Sequence, residues 1–362
     1  MKKIDFKNKK VIITSFVVFI ASIIAIILMN NDGKINIFEK KVKIKESEAQ
    51  TLKLVDYNHE NFKMKIPEGW EVSTAGEDMY FAIRVFDPND DRYQIYSVLK
   101  AEPLLKNQEA KTWYENYYKS FGGVGNKLLA KAIVLPKATV DSFYTNFNNY
   151  IDFVKEMGST FKAPDLNNFK VIETFENNSQ LKGYSTDDKI LRGTFQDTET
   201  SKIGEGLFMA TIINPGTNYT LGYDVMFYTA YNVIGISAGE YDFINYEDIL
   251  TTSLNSLEYK ESFVNNTIKN ITAETDRALS LNASIQAAYD SYNSAWSKRQ
   301  TSYDITSQKN SDATLGYERV YDTETGEIYK AYNGFTDDYN GNKYVTITDD
   351  MYSKSISGYI EK

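Results

Sequence analysis

The sequence predicts an α+β protein: an antiparallel sheet flanked by helices, preceded by one transmembrane helix and followed by a long helix and a small β-meander. Three observations support this class. Stretches that alternate apolar and polar residues, as half-buried strands do, occur as hairpin-like pairs. Separate stretches have the three- and four-residue spacing of amphipathic helices, which is typical of α+β folds. One uncharged run near the N-terminus is long enough to cross a bilayer.

The N-terminal segment predicts a membrane anchor. Residues 1–10 contain five Lys and one Asp, and residues 11–29 carry no charge. Nineteen helical residues span about 28 Å, close to the bilayer core of about 30 Å. The lysines place the N-terminus in the cytoplasm by the positive-inside rule. The prediction is therefore a single-pass protein of the cell membrane, with a cytoplasmic tail at 1–10 and the bulk of the chain outside the cytoplasm.

The alternative for this segment is a cleaved signal peptide. Its apolar region is usually about 7–15 residues long and precedes a pair of small residues. The run at 11–29 is longer, and residues 28–31 (Leu-Met-Asn-Asn) offer no such pair. We therefore expect an uncleaved anchor, followed by a polar stalk over residues 30–55.

Residues 56–262 predict the main α+β domain. Phe62, Met64 and Ile66 alternate with lysines, as in a half-buried strand. Two helical stripes, over 110–121 and 140–157, are expected to face a core. Further strands and a closing helix follow from the same patterns; the strands are Tyr80–Phe86, Tyr93–Leu99, Phe169–Phe175, Lys189–Phe195, Leu207–Ile213 and Val225–Ser237, and the helix is Asn245–Leu257.

The C-terminal third predicts three further segments. Residues 263–274 are polar and predict a linker, and residues 275–303 predict a helix with an aromatic side that includes Trp296. Residues 304–362 are rich in Tyr and contain two Asn-Gly dipeptides, which favour hairpin turns, so they predict a small β-meander. Such a sheet is marginal alone, so we expect it to pack on the aromatic side of the helix.

Two resemblances accompany these patterns. The run Phe62-Lys63-Met64-Lys65-Ile66-Pro67-Glu68-Gly69-Trp70 resembles the opening hairpin of PsbP/Mog1-like domains, and the stretches Asn232–Ser237 and Ser253–Leu257 are similar to their closing strand and helix. The likeness covers about 55–262 and implies a non-enzymatic fold used for accessory or partner-binding work, without site residues. The stretch from Trp296 to Tyr329 resembles a C-terminal segment of bacterial envelope proteins, which implies no activity.

The composition excludes several chemistries. With no Cys and a single His, His59, the chain has neither disulfides nor Cys-ligated metals, and a His-dependent triad could use only His59. The net charge is −9, and −13 without residues 1–10 (35 basic and 48 acidic residues), which argues against nucleic acid as a partner. No phosphate loop or dinucleotide fingerprint occurs, so no cofactor is predicted.

Acidic residues leave two possibilities to weigh. Residues 87–92, 322–326 and 338–343 nearly match a calcium-binding loop, but each lacks Gly at the required position, and hairpin turns explain their composition. We therefore predict no metal site. A pair of carboxylates could still form a glycoside hydrolase, which needs neither His nor Cys.

The Tyr content points to binding. The chain has 28 Tyr and 20 Phe, and Tyr suits surfaces that bury a ring while keeping a hydroxyl in water. The candidate partner-binding residues are Trp296, Tyr321, Tyr329, Tyr332, Tyr339 and Tyr344. The predicted function is a non-enzymatic, membrane-anchored accessory protein of the cell envelope that binds an envelope partner. The alternatives are a carboxylate-dependent hydrolase and a purely structural module.

Overall fold

The computed structural model describes residues 42–46, 49, 52–124, 126–177, 179, 181–240, 242–270, several positions between 305 and 313, and 316–361. The chain divides into two compact units. The main unit comprises the described residues of 46–315 together with 348–357. The small unit is assembled from three separate stretches, which are the described residues up to 45, residues 316–347 and residues from 358 onward.

Eighteen strands and seven α-helices are defined in the described residues. The strands are β1 (Ile44–Glu46), β2 (Leu54–Asn58), β3 (Phe62–Pro67), β4 (Glu71–Ala75), β5 (Ala82–Asp87), β6 (Asp90–Leu105), β7 (Ile133–Val134), β8 (Asn167–Glu176), β9 (Asp187–Gln196), β10 (Ile203–Ile213), β11 (Tyr219–Thr220), β12 (Tyr223–Asp224), β13 (Phe227–Gly239), β14 (Glu258–Tyr259), β15 (Tyr317–Asp322), β16 (Ile328–Tyr332), β17 (Tyr344–Thr346) and β18 (Ile356–Ile360). The helices are α1 (Gln108–Ser120), α2 (Lys127–Lys131), α3 (Val140–Thr145), α4 (Phe147–Glu156), α5 (Phe243–Asn255), α6 (Glu261–Asn270) and α7 (Phe335–Asp338).

The main unit is built on one large sheet. Its strand order is β4-β5-β6-β13-β10-β9-β8, with antiparallel neighbours throughout, and β7 adds a short parallel pairing at the end of β6. A three-stranded sheet with the order β14-β3-β2 and a hairpin of β11 and β12 complete the unit. The strands predicted between Tyr80 and Ser237 are present in this sheet.

Both faces of the large sheet are covered. On one face, Ile95 and Leu207 join a core with residues of β3 and α5, such as Phe62 and Leu250. On the other face, their sequence neighbours Tyr96 and Phe208 pack among residues of helices α1 to α4. Because successive side chains of a strand point to opposite faces and both faces are covered, β10 and β13 are almost continuously buried, and Glu205 is the one charged residue in the two strands.

A β-bulge interrupts the pairing of β10 with β13. The register shifts between Met209 and Thr211, and Asn232 on the partner strand has a positive φ of 50°. The fully buried hydroxyl of Tyr144, in α3, lies 2.6 Å from the Met209 carbonyl oxygen and 3.1 Å from that of Ile234. Burial raises the pKa of Tyr144 well above its ordinary value, so the group stays a hydrogen-bond donor at the bulge.

Three glycines let aromatic rings lie directly on the sheet. A Cβ atom at Gly235 would lie 2.4 Å from ring carbons of Tyr96, and one at Gly193 would lie 2.5 Å from the Phe169 ring. Gly204 is covered in the same way by a Phe ring of β9. These close approaches require glycine, since any larger side chain would displace a ring of the helix-covered core.

The small unit is centred on a five-stranded sheet with the order β1-β18-β16-β15-β17. Strand β1 ends at Glu46, whereas the other four strands begin at Tyr317 or later. One sheet is thus supplied by strands from both sides of the long segment that forms most of the main unit.

The structure corrects one part of the predicted fold class, the transmembrane helix. The α+β architecture with antiparallel sheets is observed, but no described helix is long and apolar enough to cross a membrane. The longest helices in the described part, α1 and α5, have 13 residues, whereas a crossing needs about 20. The segment predicted to cross, 11–29, lies outside the described residues, as do residues 1–10 and the whole of the predicted helix 275–303.

The structure also corrects the predicted β-meander. Strand β17 pairs with β15 rather than with its sequence neighbour β16, because α7 follows Gly334 and carries the chain from one side of β15 to the other. The first Asn-Gly dipeptide therefore starts a helix instead of closing a hairpin. The predicted stalk 30–55 contains β1 and the start of β2, which its polar composition did not reveal.

Two helical predictions differ in detail. The stripe over 140–157 is two helices, because Asn146 ends α3 with its side-chain amide donating to the Ser142 carbonyl oxygen at 2.8 Å. The predicted linker 263–274 begins inside α6, where Phe263 is buried and its ring centroid lies 5.1 Å from that of Phe81. Only two of the ten residues of α6 are buried, which is too weak a pattern to read from sequence.

We predict that Gly235→Ala lowers the free energy of unfolding of the main unit by about 1–3 kcal/mol, because the new methyl group overpacks against the Tyr96 ring. Urea unfolding followed by circular dichroism measures the change. Gly183→Ala is the matched control, since nothing lies within 4 Å of a Cβ atom there. Equal unfolding midpoints for the two variants would contradict the prediction.

Candidate functional site

A cleft of about 780 Å³ opens in the main unit on the face of the large sheet that helices α1 to α4 cover. One wall is α2, another is the C-terminal half of α4 with the loop that follows it, and strands β5 and β6 contribute the base. Its surface is mostly apolar, and its lining includes Val98, Leu128, Leu129, Ile151, Val154 and Met157.

Residues at the ends of α2 and α4 fix where these two walls begin and end. The Asn126 side chain caps α2 by accepting from the Leu129 amide at 3.1 Å, and the Lys111 ammonium of α1 donates to the Ala130 and Ala132 carbonyl oxygens at the other end. Helix α4 ends where Gly158 adopts a φ of +98°. Val154, in the last turn of α4, and Met157, directly after it, line the cleft.

A polar network lies at the base of this apolar cleft. The Lys100 ammonium is 2.9 Å from Glu102 Oε1, and these side chains are 9% and 15% exposed. The Tyr80 hydroxyl donates to the same oxygen at 2.6 Å, and the Thr229 hydroxyl donates to Oε2 at 2.7 Å. The Lys100 ammonium also lies 5.4 Å from the centre of the Tyr80 ring. Both carboxylate oxygens are therefore held by donors from three different elements.

The charge of the base is balanced. Among the described residues that line the cleft, Lys100 and Glu102 are the only charged ones, and they form an ion pair. Burial raises the pKa of the nearby Tyr150, so its hydroxyl is protonated at neutral pH. The cleft can therefore offer hydrogen bonds to a ligand without presenting a net charge.

This lining bears on the hydrolase alternative. Glycoside hydrolysis generally uses two carboxylates on either side of the scissile bond. The cleft residues described by the structure include one carboxylate, Glu102, and its two oxygens already accept from Lys100, Tyr80 and Thr229. The geometry of this cleft thus favours binding over carboxylate-pair chemistry.

The sequence did not predict this network because the strand that carries it was predicted to end too early. The apolar run predicted a strand up to Leu99, but β6 continues to Leu105. Lys100 and Glu102, two residues apart, point to the same face of that extension. A Lys-x-Glu pair directly after an apolar strand is the signal that could have pointed to the site.

Helix α1, near the cleft, is only partly covered. Ala110 and Tyr114 are buried as the predicted stripe requires, whereas Tyr117 and Phe121 are exposed, Phe121 by 56%. The helix also packs beside the β11–β12 hairpin, where the ring centroids of Trp113 and Tyr223 are 6.4 Å apart.

The other chemical candidates have structural partners. His59 Nδ1 accepts from the Asn61 amide at 3.2 Å, and its ring stacks on Phe62 with a centroid distance of 5.0 Å. In the loop 87–92, Asp87 accepts from the Asn89 amide and Asp90 pairs with Arg92 at 2.6 Å. No group of three or more metal-ligating side chains occurs in the described part of the chain.

The predicted partner-binding tyrosines come together in the small unit, whereas Trp296 lies outside the described residues. Tyr329 and Tyr344 are buried, and Tyr339 packs against Tyr344 with a centroid distance of 5.4 Å. Phe335, which the sequence did not single out, lies between Tyr332 and Tyr339 at 5.6 and 5.2 Å. Tyr321, on β15, is half-buried. All of these rings except Tyr321 belong to the core of their own unit or pack against it, and a partner-binding role for the tyrosines stays a prediction.

One buried carboxylate holds the turn between β15 and β16. Asp322 is 2% exposed, accepts from the amides of Glu324 and Thr325 at 2.9 and 3.2 Å, and lies 3.4 Å from the Lys343 ammonium. Burial alone would raise the pKa of Asp322, but the two amides and the Lys343 charge outweigh it and lower the pKa below its ordinary value.

We predict that the small unit loses stability in acid through Asp322. Because its pKa is lower in the folded state, the charged form stabilises the fold above the unfolded pKa of about 3.9, and this is lost as the pH falls through the folded value. Asp322→Asn should lower the free energy of opening of β15 and β16 by about 1–2 kcal/mol at pH 7. Hydrogen exchange, corrected for intrinsic rates, should show this difference shrinking towards pH 3.

The exposed Asp337→Asn, in α7, is the control and should leave both values unchanged. An Asp322→Asn effect of the same size at both pH values would contradict a role for the carboxylate charge.

Comparisons with known proteins add no relative. No family model matches this chain, and no curated protein matches it either. The resemblance to PsbP/Mog1-like domains therefore stays a prediction that rests on residues 62–70 and the closing segments of the main unit. The features of the structure that indicate a function are the cleft, the Lys100–Glu102 pair at its base and the apolar walls around it.

Proposed function

We propose that the protein is a non-enzymatic accessory protein whose main unit binds an apolar ligand in the cleft between α2, α4 and β6. One observation carries this proposal: a cleft of about 780 Å³ with apolar walls and a small polar network at its base. Ligand sites in proteins generally have this composition, with volumes of about 300–1,000 Å³ and a few polar groups that orient the ligand.

The walls supply the affinity in this proposal. Val98, Leu129, Val154 and Met157 are only partly buried, so their apolar surface remains available to a ligand. Each Å² of apolar surface removed from water contributes about 25 cal/mol, so a ligand burying roughly 200 Å² would gain about 5 kcal/mol before the costs of association. This suits reversible binding.

The same chemistry of the cleft supports an accessory role for the protein. The cleft pairs its one carboxylate with Lys100, Tyr80 and Thr229, which suits holding a ligand in place. An envelope partner and a location outside the cytoplasm stay predictions from the sequence, as does the binding role of the tyrosines. For the small unit, the purely structural alternative is favoured by its aromatic core, in which Tyr329 and Tyr344 are buried.

We predict that a decanol derivative carrying a diazirine on its alkyl chain labels the cleft of the full-length protein on irradiation. Mass spectrometry should locate the adducts in residues 127–131 and 150–161, which line the cleft. Val154→Trp should reduce labelling of these peptides at least tenfold, because the indole occupies the space that the ligand needs.

The matched control is Leu221→Trp, which introduces the same side chain at a residue that is 83% exposed and does not line the cleft. Its cleft peptides should be labelled as in the unmodified protein. Absence of labelling in the unmodified protein, or equal labelling of Val154→Trp, would overturn the proposed function.

A further inference from the structure

We infer that the cleft selects uncharged amphiphiles, that is, ligands with one apolar chain that ends in a hydroxyl or amide group. The inference rests on the proposed function and names the ligand class of the same site. The observation behind it is the charge balance at the base, where the ion pair of Lys100 and Glu102 is surrounded by apolar walls.

Charge selectivity follows from desolvation. A ligand that places a carboxylate or an ammonium group in an apolar cleft must give up hydration, and only an opposite charge in the cleft compensates for that loss. Lys100 and Glu102 already compensate each other at 2.9 Å, and no other described lining residue is charged. A charged head group would have to compete with this pair for its partner, whereas an uncharged one would not.

Hydrogen-bonding capacity remains for an uncharged head group. The Tyr80 hydroxyl donates to Glu102 at 2.6 Å and is a group that can exchange hydrogen bonds with a ligand hydroxyl or amide. Glu102 Oε2 accepts from Thr229 at 2.7 Å, and a carboxylate oxygen can accept a second bond from a ligand hydroxyl or amide. A hydroxyl group both donates and accepts, so it suits this base.

Removing the anion or the cation of the pair should change the charge selectivity of the cleft in opposite directions. Glu102→Gln removes one negative charge beside the Lys100 ammonium, so the cleft should gain affinity for an anionic head group. Lys100→Met leaves the Glu102 carboxylate without its ammonium, so the cleft should gain affinity for a cationic one. Glu258→Gln removes the carboxylate of an exposed ion pair with Lys63, outside the cleft, so it should leave the ranking of ligands unaltered.

The test is competition against the diazirine decanol probe in the full-length protein at pH 7.5. The unlabelled competitors are decanol, decanoate and decylammonium, which share a chain length and differ in head-group charge. In the unmodified protein, decanol should displace the probe at concentrations at least tenfold lower than either ion. Relative to decanol, decanoate should improve at least tenfold in Glu102→Gln, and decylammonium should do so in Lys100→Met.

The outcomes separate the two proposals. Labelling of the cleft with equal potency of the three competitors in the unmodified protein overturns the charge inference and leaves the binding function standing. No labelling of the cleft overturns the binding function itself. Circular dichroism verifies that each variant is folded, and the ranking in the unmodified protein decides the inference even if a variant does not fold.

Discussion

The close packing of aromatic rings on glycines of the large sheet sets the geometry of the main unit. Tyr96 and Phe169 lie on Gly235 and Gly193, at distances that exclude a side chain there. Tyr144 of α3 stacks on Phe169 with a centroid distance of 5.3 Å. These contacts hold α3 close to the sheet. In the same helix layer, Val154 and Met157 line the cleft.

The ion pair at the base of the cleft is costly to bury and is retained with full hydrogen bonding. Two charges removed from water lose several kcal/mol of hydration each, and an apolar pair of similar size is often no less stable. Lys100 and Glu102 offset this cost by their contact at 2.9 Å and by the hydroxyl groups of Tyr80 and Thr229. A pair that is costly to desolvate and lies where a ligand would meet it is consistent with a role in recognition.

Sequence patterns predicted strands better than they predicted edges and long-range pairing. The runs Lys189–Phe195 and Leu207–Ile213 are strands because both of their faces are buried, which leaves a strong apolar signal. The end of β6 was missed, because Lys100 and Glu102 appear polar in sequence and are paired only in three dimensions. The candidate site was missed for the same reason. Its members Tyr80, Glu102 and Thr229 are brought together by sheet register rather than by spacing along the chain.

The small unit depends on long-range closure that no local pattern contains. Strand β1 ends at Glu46 and its neighbour β18 begins at Ile356, about 310 residues later. Closing a flexible loop of this length from an unfolded chain costs about 5 kcal/mol. A unit of this size has a modest core, centred on Val320, Phe335 and Tyr344, to set against that cost. Folding of the main unit replaces the flexible loop by a compact one and removes most of the closure entropy. The sheet that includes β1 and β18 should therefore form after the main unit, and the C-terminal segment should not be regarded as an independent module.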